Sequence, residues 1–142
     1  MLFGRKPRQI ARLLLVEDEP LIAFDNEHFL SDAKFDVVAT VDRVVDAVRA
    51  IGTGDAVDLV LLDVALADGS GVEVARVAQA QGVAVLFVTG NLPGDAAKFA
   101  DGCLSKPYNQ RDLLLAIAAI EARRAGRPVK KLPTGLQLFD PS

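Results

Sequence analysis

Four apolar runs in this sequence each end in a side chain able to do chemistry. Asp58-Leu59-Val60-Leu61-Leu62-Asp63 closes on a carboxylate, and Leu13-Leu14-Leu15-Val16 runs into Glu17-Asp18-Glu19. Val83-Ala84-Val85-Leu86-Phe87-Val88 runs into Thr89, and Gly102-Cys103-Leu104-Ser105 delivers Lys106 ahead of Pro107. Short apolar runs of this kind read as parallel strands buried on both faces. In open α/β sheets, ligands sit beyond the carboxyl ends of such strands. The expected result is a group of acids, one hydroxyl and one amine at a single sheet edge. Oxygen-only donors favour a hard cation, and Mg²⁺ typically takes one or two carboxylates while keeping several waters. Asp18 and Asp63 are the expected direct ligands, with Glu17 acting through water. Without a cation, three carboxylates this close would raise one another's pKa values. A carboxylate can also attack phosphorus to give an acyl phosphate. Such transfer needs in-line positioning and neutralisation of the phosphoryl oxygens, for which the Lys106 ammonium and the Thr89 hydroxyl are suited. Singly, each residue has an ordinary structural use: an Asp forms turns, and acids favour a helix start. Their occurrence together at successive strand ends of one sheet is what points to a shared site.

The elements that must position these residues alternate between strand and helix, which implies a parallel sheet covered on both faces. Strands are expected at 11–16, 37–40, 58–62, 83–88 and 102–104. A helix opens at Glu19-Pro20, with Leu21, Ile22, Phe29 and Leu30 near one face. Asp42 reads as the N-cap of the next helix, with Val44, Val45, Val48 and Ile51 turned inward and Gly52-Thr53-Gly54 ending it. The Asp68-Gly69-Ser70-Gly71 loop leads to a helix through Ala80. Between Asn91 and Ala100 at most two helical turns fit. The last helix spans about 110–124, with Leu113, Leu114, Ile117 and Ile120 as its buried stripe.

The 142 residues suffice for one domain with a core: residues 10–125, between a basic N-terminal tail (1–9) and a C-terminal tail (126–142) expected to carry no output domain. Residues 13–122 carry a charge balance of −11, and the two ends +8, giving the net −3. An acidic body argues against nucleic-acid binding. No apolar stretch approaches the ~20 residues of a membrane span, Met1–Pro7 lacks the apolar core of a secretory signal, and the single Cys103 cannot form an internal disulfide. A cytoplasmic protein is expected. The apolar residues within 132–139 are expected to dock the tail on the domain beside the short fourth helix. Cys103 reads as core filler, and His28 as an exposed helix residue.

Leu13–Pro20, Leu61-Leu62-Asp63, Gly71, Thr89 and Lys106-Pro107-Tyr108 together resemble the receiver domain of two-component response regulators. The resemblance covers roughly residues 10–122. It implies a doubly wound, five-stranded parallel sheet (the flavodoxin-like receiver fold) with a shortened fourth helix. It implies a usually cis bond before Pro107, and Mg²⁺ held by Asp18, Asp63, the main-chain carbonyl of Ala65, and Glu17 through water. Asp63 would accept a phosphoryl group from a sensor histidine kinase or histidine phosphotransfer protein, with Thr89 and Lys106 assisting. Output would run through a downstream protein partner, or the domain would act as a phosphate sink or shuttle. The alternative is a receiver-like adaptor whose binding does not depend on phosphorylation. Phe87-Val88-Thr89-Gly90 and the short span to Lys106 resemble receivers of alphaproteobacterial stress signalling, which typically have Tyr where this chain has Asn91. A further departure is Cys103, at a place where the family usually has an aromatic ring that moves on activation. Haloacid-dehalogenase-like phosphohydrolases need a second Asp two positions after the nucleophile, where Ala65 stands. No Gly-rich nucleotide-binding loop follows the first strand.

Overall fold

A computed structural model of the chain describes residues 9–52 and 57–140. The basic N-terminal segment thus lies almost wholly outside the described residues, as do Thr53 and Gly54 of the expected helix end. The elements in chain order are β1 (Arg12–Val16), α1 (Pro20–Asp32), β2 (Asp36–Val41), α2 (Val44–Gly52), β3 (Leu59–Leu62), a two-rung hairpin β4 (Ala65–Leu66) and β5 (Gly69–Ser70), α3 (Gly71–Ala80), β6 (Ala84–Thr89), β7 (Gly102–Ser105), α4 (Gln110–Arg124) and β8 (Leu136–Leu138).

The main sheet has the order β2-β1-β3-β6-β7-β8. Its first five strands are parallel, as expected. The sixth, β8, is an addition: the C-terminal tail pairs antiparallel with β7, placing Leu104 opposite Leu136 and Gly102 opposite Leu138. A three-residue edge strand with only two partly buried leucines leaves little periodicity to read in advance. In place of a fourth covering helix stands one 3₁₀ turn, Ala96–Phe99.

The continuous apolar runs follow from burial on both faces. Leu14, Val16, Val60, Leu62, Val85 and Phe87 point to one side, against α2 and α3. Leu13, Leu15, Leu59, Leu61, Leu86 and Val88 point to the other, against α4 and Leu30 of α1. Each fully buried Leu or Phe contributes about 2 kcal/mol before chain entropy is counted. Cys103 is buried in the first cluster, as expected of core filler, and burial pushes its thiol pKa up.

Three inward or capping expectations are corrected. Leu21 is 80% exposed, and the inward stripe of α1 runs through Ile22, Asn26, Phe29 and Leu30 instead. Val45 is 50% exposed, and α2 buries Ala47 and Ile51. Asp42 does not cap α2. Asp68 does, reaching across from the β4–β5 hairpin to accept from the backbone N–H groups of Val44 (2.5 Å) and Val45 (3.2 Å). Those donors hold its carboxyl below the usual range, the Val44 amide contributing most.

Acids at the amino ends of the strands have structural work. Asp58 Oδ2 accepts from the N–H groups of Ala11 (2.9 Å) and Arg12 (2.8 Å). Asp101 accepts from Val85 N–H (3.0 Å) and from Arg124 (2.6 and 3.1 Å). At the opposite edge, Gly71 lets α3 begin against the end of β3. A Cβ there would stand 2.1 Å from the main-chain oxygen of Asp63. Gly71→Ala must therefore shift backbone rather than a side chain. We expect it to destabilise the domain by about 2 kcal/mol or more in urea unfolding; an unchanged midpoint would contradict the close packing.

Candidate functional site

β1, β3 and β7 carry the reactive side chains because each strand runs straight into them. Glu17 follows β1 and donates its N–H to Val41 O (3.0 Å). Asp63 follows β3 and donates its N–H to Val16 O (2.9 Å), so both backbones continue the sheet ladder. Glu17 and Asp63 are buried, at 5% and 7% exposure, while Asp18 is exposed. One carboxylate oxygen from each of Glu17, Asp18 and Asp63 lies within 4.8 Å of the other two. Lys106 closes the group from β7. Its Nζ donates to Glu17 Oε1 (3.3 Å) and Asp63 Oδ2 (3.4 Å). Its backbone N–H donates to Thr89 O (3.1 Å), joining the ends of β6 and β7, and the Lys106–Pro107 bond is cis.

Thr89 stands apart from this cluster. Its hydroxyl accepts from Asn91 N–H (3.2 Å) and donates to Asn91 O (3.3 Å), rather than to Asp63 or Lys106. Of the expected set, Glu17, Asp18, Asp63 and Lys106 come together. Thr89 is at the same edge but with its hydroxyl engaged by its own loop. Ala65 is exposed at the start of the hairpin, two residues beyond Asp63.

Three carboxylates and one ammonium, all ionised, leave two negative charges in one hollow. The strain shows in Glu17, whose pKa is pushed up to about 7, first by burial and further by Asp63; the Glu19 N–H and Lys106 act the other way. For Lys106, burial opposes the charge, but Glu17 and Asp63 outweigh it and push the pKa up. A divalent cation would cancel the surplus. Ligand oxygens around magnesium stand roughly 3–4 Å apart, so the carboxylates need only small side-chain movements to hold one. The donor set is all oxygen, and it fits.

One residue of the site, Asn26, was not anticipated from the sequence. Asn26, buried on α1, donates through Nδ2 to Tyr108 Oη (2.9 Å), tying α1 to the loop after Lys106. Burial raises the Tyr108 pKa, countered in part by Asn26. The available signal is a polar residue at Ile22 + 4 on the inward stripe of a helix.

The family model of the response regulator receiver domain matches residues 13–118. Over 131 residues the chain is 30% identical to the cell cycle response regulator CtrA of Brucella ovis, covering 87% of this chain and 56% of that protein. The chain thus spans about half the length of the curated relatives it matches. A response regulator receiver protein from Sinorhizobium medicae superposes with a TM-score of 0.70 at 26% identity, covering 80% of this chain and 96% of that one. SdrG from Sphingomonas melonis superposes with a TM-score of 0.67 at 31% identity, covering 79% of this chain and 97% of that one.

The raised Glu17 pKa fixes a pH dependence. In the metal-free protein, Glu17 favours the folded state in its protonated form. That contribution is complete below about 4.5, its ordinary value, and is lost as pH rises through about 7. Thermal unfolding without metal should therefore show stability falling across this window, and Glu17→Gln should remove that fall. Added Mg²⁺, which binds the ionised form, should raise Tm more at pH 8 than at pH 6. An identical pH slope in Glu17→Gln would contradict the assignment.

Proposed function

Since the chain belongs to the response regulator receiver domain family, we propose that Asp63 is its phosphoacceptor. The observation that carries this reading is the convergence of Glu17, Asp18, Asp63 and Lys106 on one hollow at the carboxyl edge of the sheet. The donor is a phosphohistidine of a sensor kinase or phosphotransfer protein. An Asp63 carboxylate oxygen attacks phosphorus as the P–N bond breaks, and the electron pair leaves with the imidazole nitrogen. Lys106 neutralises one phosphoryl oxygen. Thr89 turns from Asn91 to donate its hydroxyl to another. Asp18 and Asp63, with the Ala65 carbonyl and Glu17 through water, would hold Mg²⁺, which would supply charge neutralisation at the phosphoryl group. Attack of water on phosphorus later releases phosphate and restores the Asp63 carboxylate.

The donor has a surface to meet. Leu21 and Phe24 are 80% and 61% exposed on α1. Beside them a cavity of about 440 Å³ is lined by Ile22, Asn26, Lys106, Pro107 and Tyr108. An apolar helix face presenting a histidine suits this groove, next to the lysine that assists transfer. Among the described residues no helix is long and apolar enough to cross a membrane, and we place the protein in the cytoplasm, where histidine kinases present their phosphoryl group. The single 3₁₀ turn between β6 and β7 supports the reading that this receiver belongs with the stress-signalling group carrying Phe-x-Thr-Gly. Its output is contact with a partner protein or phosphate traffic.

Mg²⁺-dependent labelling by acetyl phosphate should occur on the wild type and vanish in Asp63→Asn; labelling that survives the substitution would overturn the reading. Ala65, two residues beyond Asp63, and Asn91, bonded to Thr89, are both exposed, and in this reading they leave the acyl phosphate open to water. Ala65→Lys should slow decay of the phosphorylated form several-fold in a phosphate-release assay, and an equal decay rate would remove this role.

A further inference from the structure

β7 is the last of the parallel strands, so its outer edge alone would present unpaired backbone groups. The tail closes it. Ser105 N–H donates to Gly135 O and Phe139 N–H donates to Asp101 O, each at 2.9 Å, on either side of the Cys103–Gln137 pair. Gly102 makes room for this: a Cβ there would stand 3.0 Å from Gln137 O. Leu136 and Leu138 pack on the α4 side of the sheet, and Phe139 packs on the other side with the cluster that includes Cys103, Ala96 and Ala100. Asp140 pairs with Arg123 at the end of α4. The tail grips the strand from both faces.

The grip is also local. Residues 127–135, which lead from α4 to β8, contain no helix or strand, and Leu136, Leu138 and Phe139 remain partly exposed. Few buried contacts and a short ladder place such a segment at the low end of local stability. The first rung belongs to Ser105, and the next residue is Lys106, which joins Thr89 through its backbone and Asp63 through its side chain. Tail and reactive edge therefore share one strand end.

We propose that the tail strand is a releasable clasp whose seating is coupled to the state of Asp63: seated when the carboxylate is free, loosened when it carries a phosphoryl group. This rests on the phosphoacceptor reading. Lys106 Nζ stands 3.3 and 3.4 Å from its carboxylates, longer than the ~2.8 Å of a well-formed charged hydrogen bond. Thr89 points away to Asn91. Closing both onto phosphoryl oxygens draws the ends of β6 and β7 toward β3. In the order β3-β6-β7-β8, that movement is away from the tail, and the Ser105–Gly135 rung takes the displacement. By reciprocity, a loosened tail favours the phosphorylated form. Release uncovers the β7 edge and the apolar seat of Phe139.

The test is amide hydrogen exchange on the full chain, with and without Mg²⁺ and beryllofluoride as the phosphoryl mimic. Amides of Ser105 and Phe139 should exchange about tenfold faster or more with the mimic bound, while those of Leu14 and Leu61 in the sheet centre hold steady. Saturating shifts at the Asp63 and Lys106 amides with no faster exchange at Ser105 and Phe139 would overturn the coupling alone. Absence of any saturating shift at the site would overturn the phosphoacceptor reading, and the coupling with it. Leu138→Gln, which loosens the clasp without touching the site, should raise the phosphorylated fraction at subsaturating acetyl phosphate. An unchanged fraction despite faster exchange at Phe139 would also overturn the coupling.

Discussion

Like charge gathered at one sheet edge is the constraint around which this domain is arranged. Glu17 and Asp63 are held by strand ends whose backbones are fixed in the ladder, and the exposed Asp18 follows directly on Glu17, so the three carboxylates stay close together. Lys106 offsets one charge from across the sheet. Glu17 carries a raised pKa, set first by its burial and further by Asp63. A hollow with a surplus of two negative charges and only oxygen donors selects a small divalent cation. The hollow, once neutralised, receives a further anion, and a phosphoryl group is an anion that a carboxylate can bind covalently.

The same residue type serves opposite purposes at the two edges. Asp58 and Asp101, at the amino ends of their strands, accept from backbone donors, with Arg124 added at Asp101, and they tie neighbouring strands together. Asp63 accepts from Lys106, and Glu17 from Lys106 and the Glu19 N–H, and with Asp18 they share one hollow rather than serving a strand pairing. Burial alone does not distinguish these groups; the direction of the parallel strands does. Gly71 keeps α3 close against Asp63. The Asn26–Tyr108 bond keeps α1 close to the loop that follows Lys106. Both narrow the room in which the acids can move.

The core strands were legible because doubly buried strands leave unbroken apolar runs, and each reactive residue stands where a run stops. α4 was legible through its apolar stripe of Leu113, Ile117 and Ile120, and the structure adds an Asn109 cap accepting from Asp112 N–H. Helix faces were harder. Leu21 and Val45 look like core residues by type, yet both face solvent, because the inward stripes also use small or polar residues such as Ala47 and Asn26. The Asp42 expectation failed since Asp68, distant in sequence, delivers the cap across a tertiary contact. Thr89 was placed at the correct edge, but its hydroxyl direction depends on the loop backbone at Asn91, which residue type does not encode. β8 was invisible as a strand for a related reason: its pairing is set by an edge that exists only once the other five strands have assembled.

The domain's chemistry depends on the three acids and Lys106 forming one cation-binding hollow. A magnesium titration of the full chain, followed amide by amide in heteronuclear NMR spectra, tests it most directly. The account predicts one saturable event, with the largest shifts at Glu17, Asp18, Asp63 and Lys106 and negligible shifts around Asp58 and Asp101. Shifts that never saturate, or that centre on acids elsewhere on the surface, would contradict it.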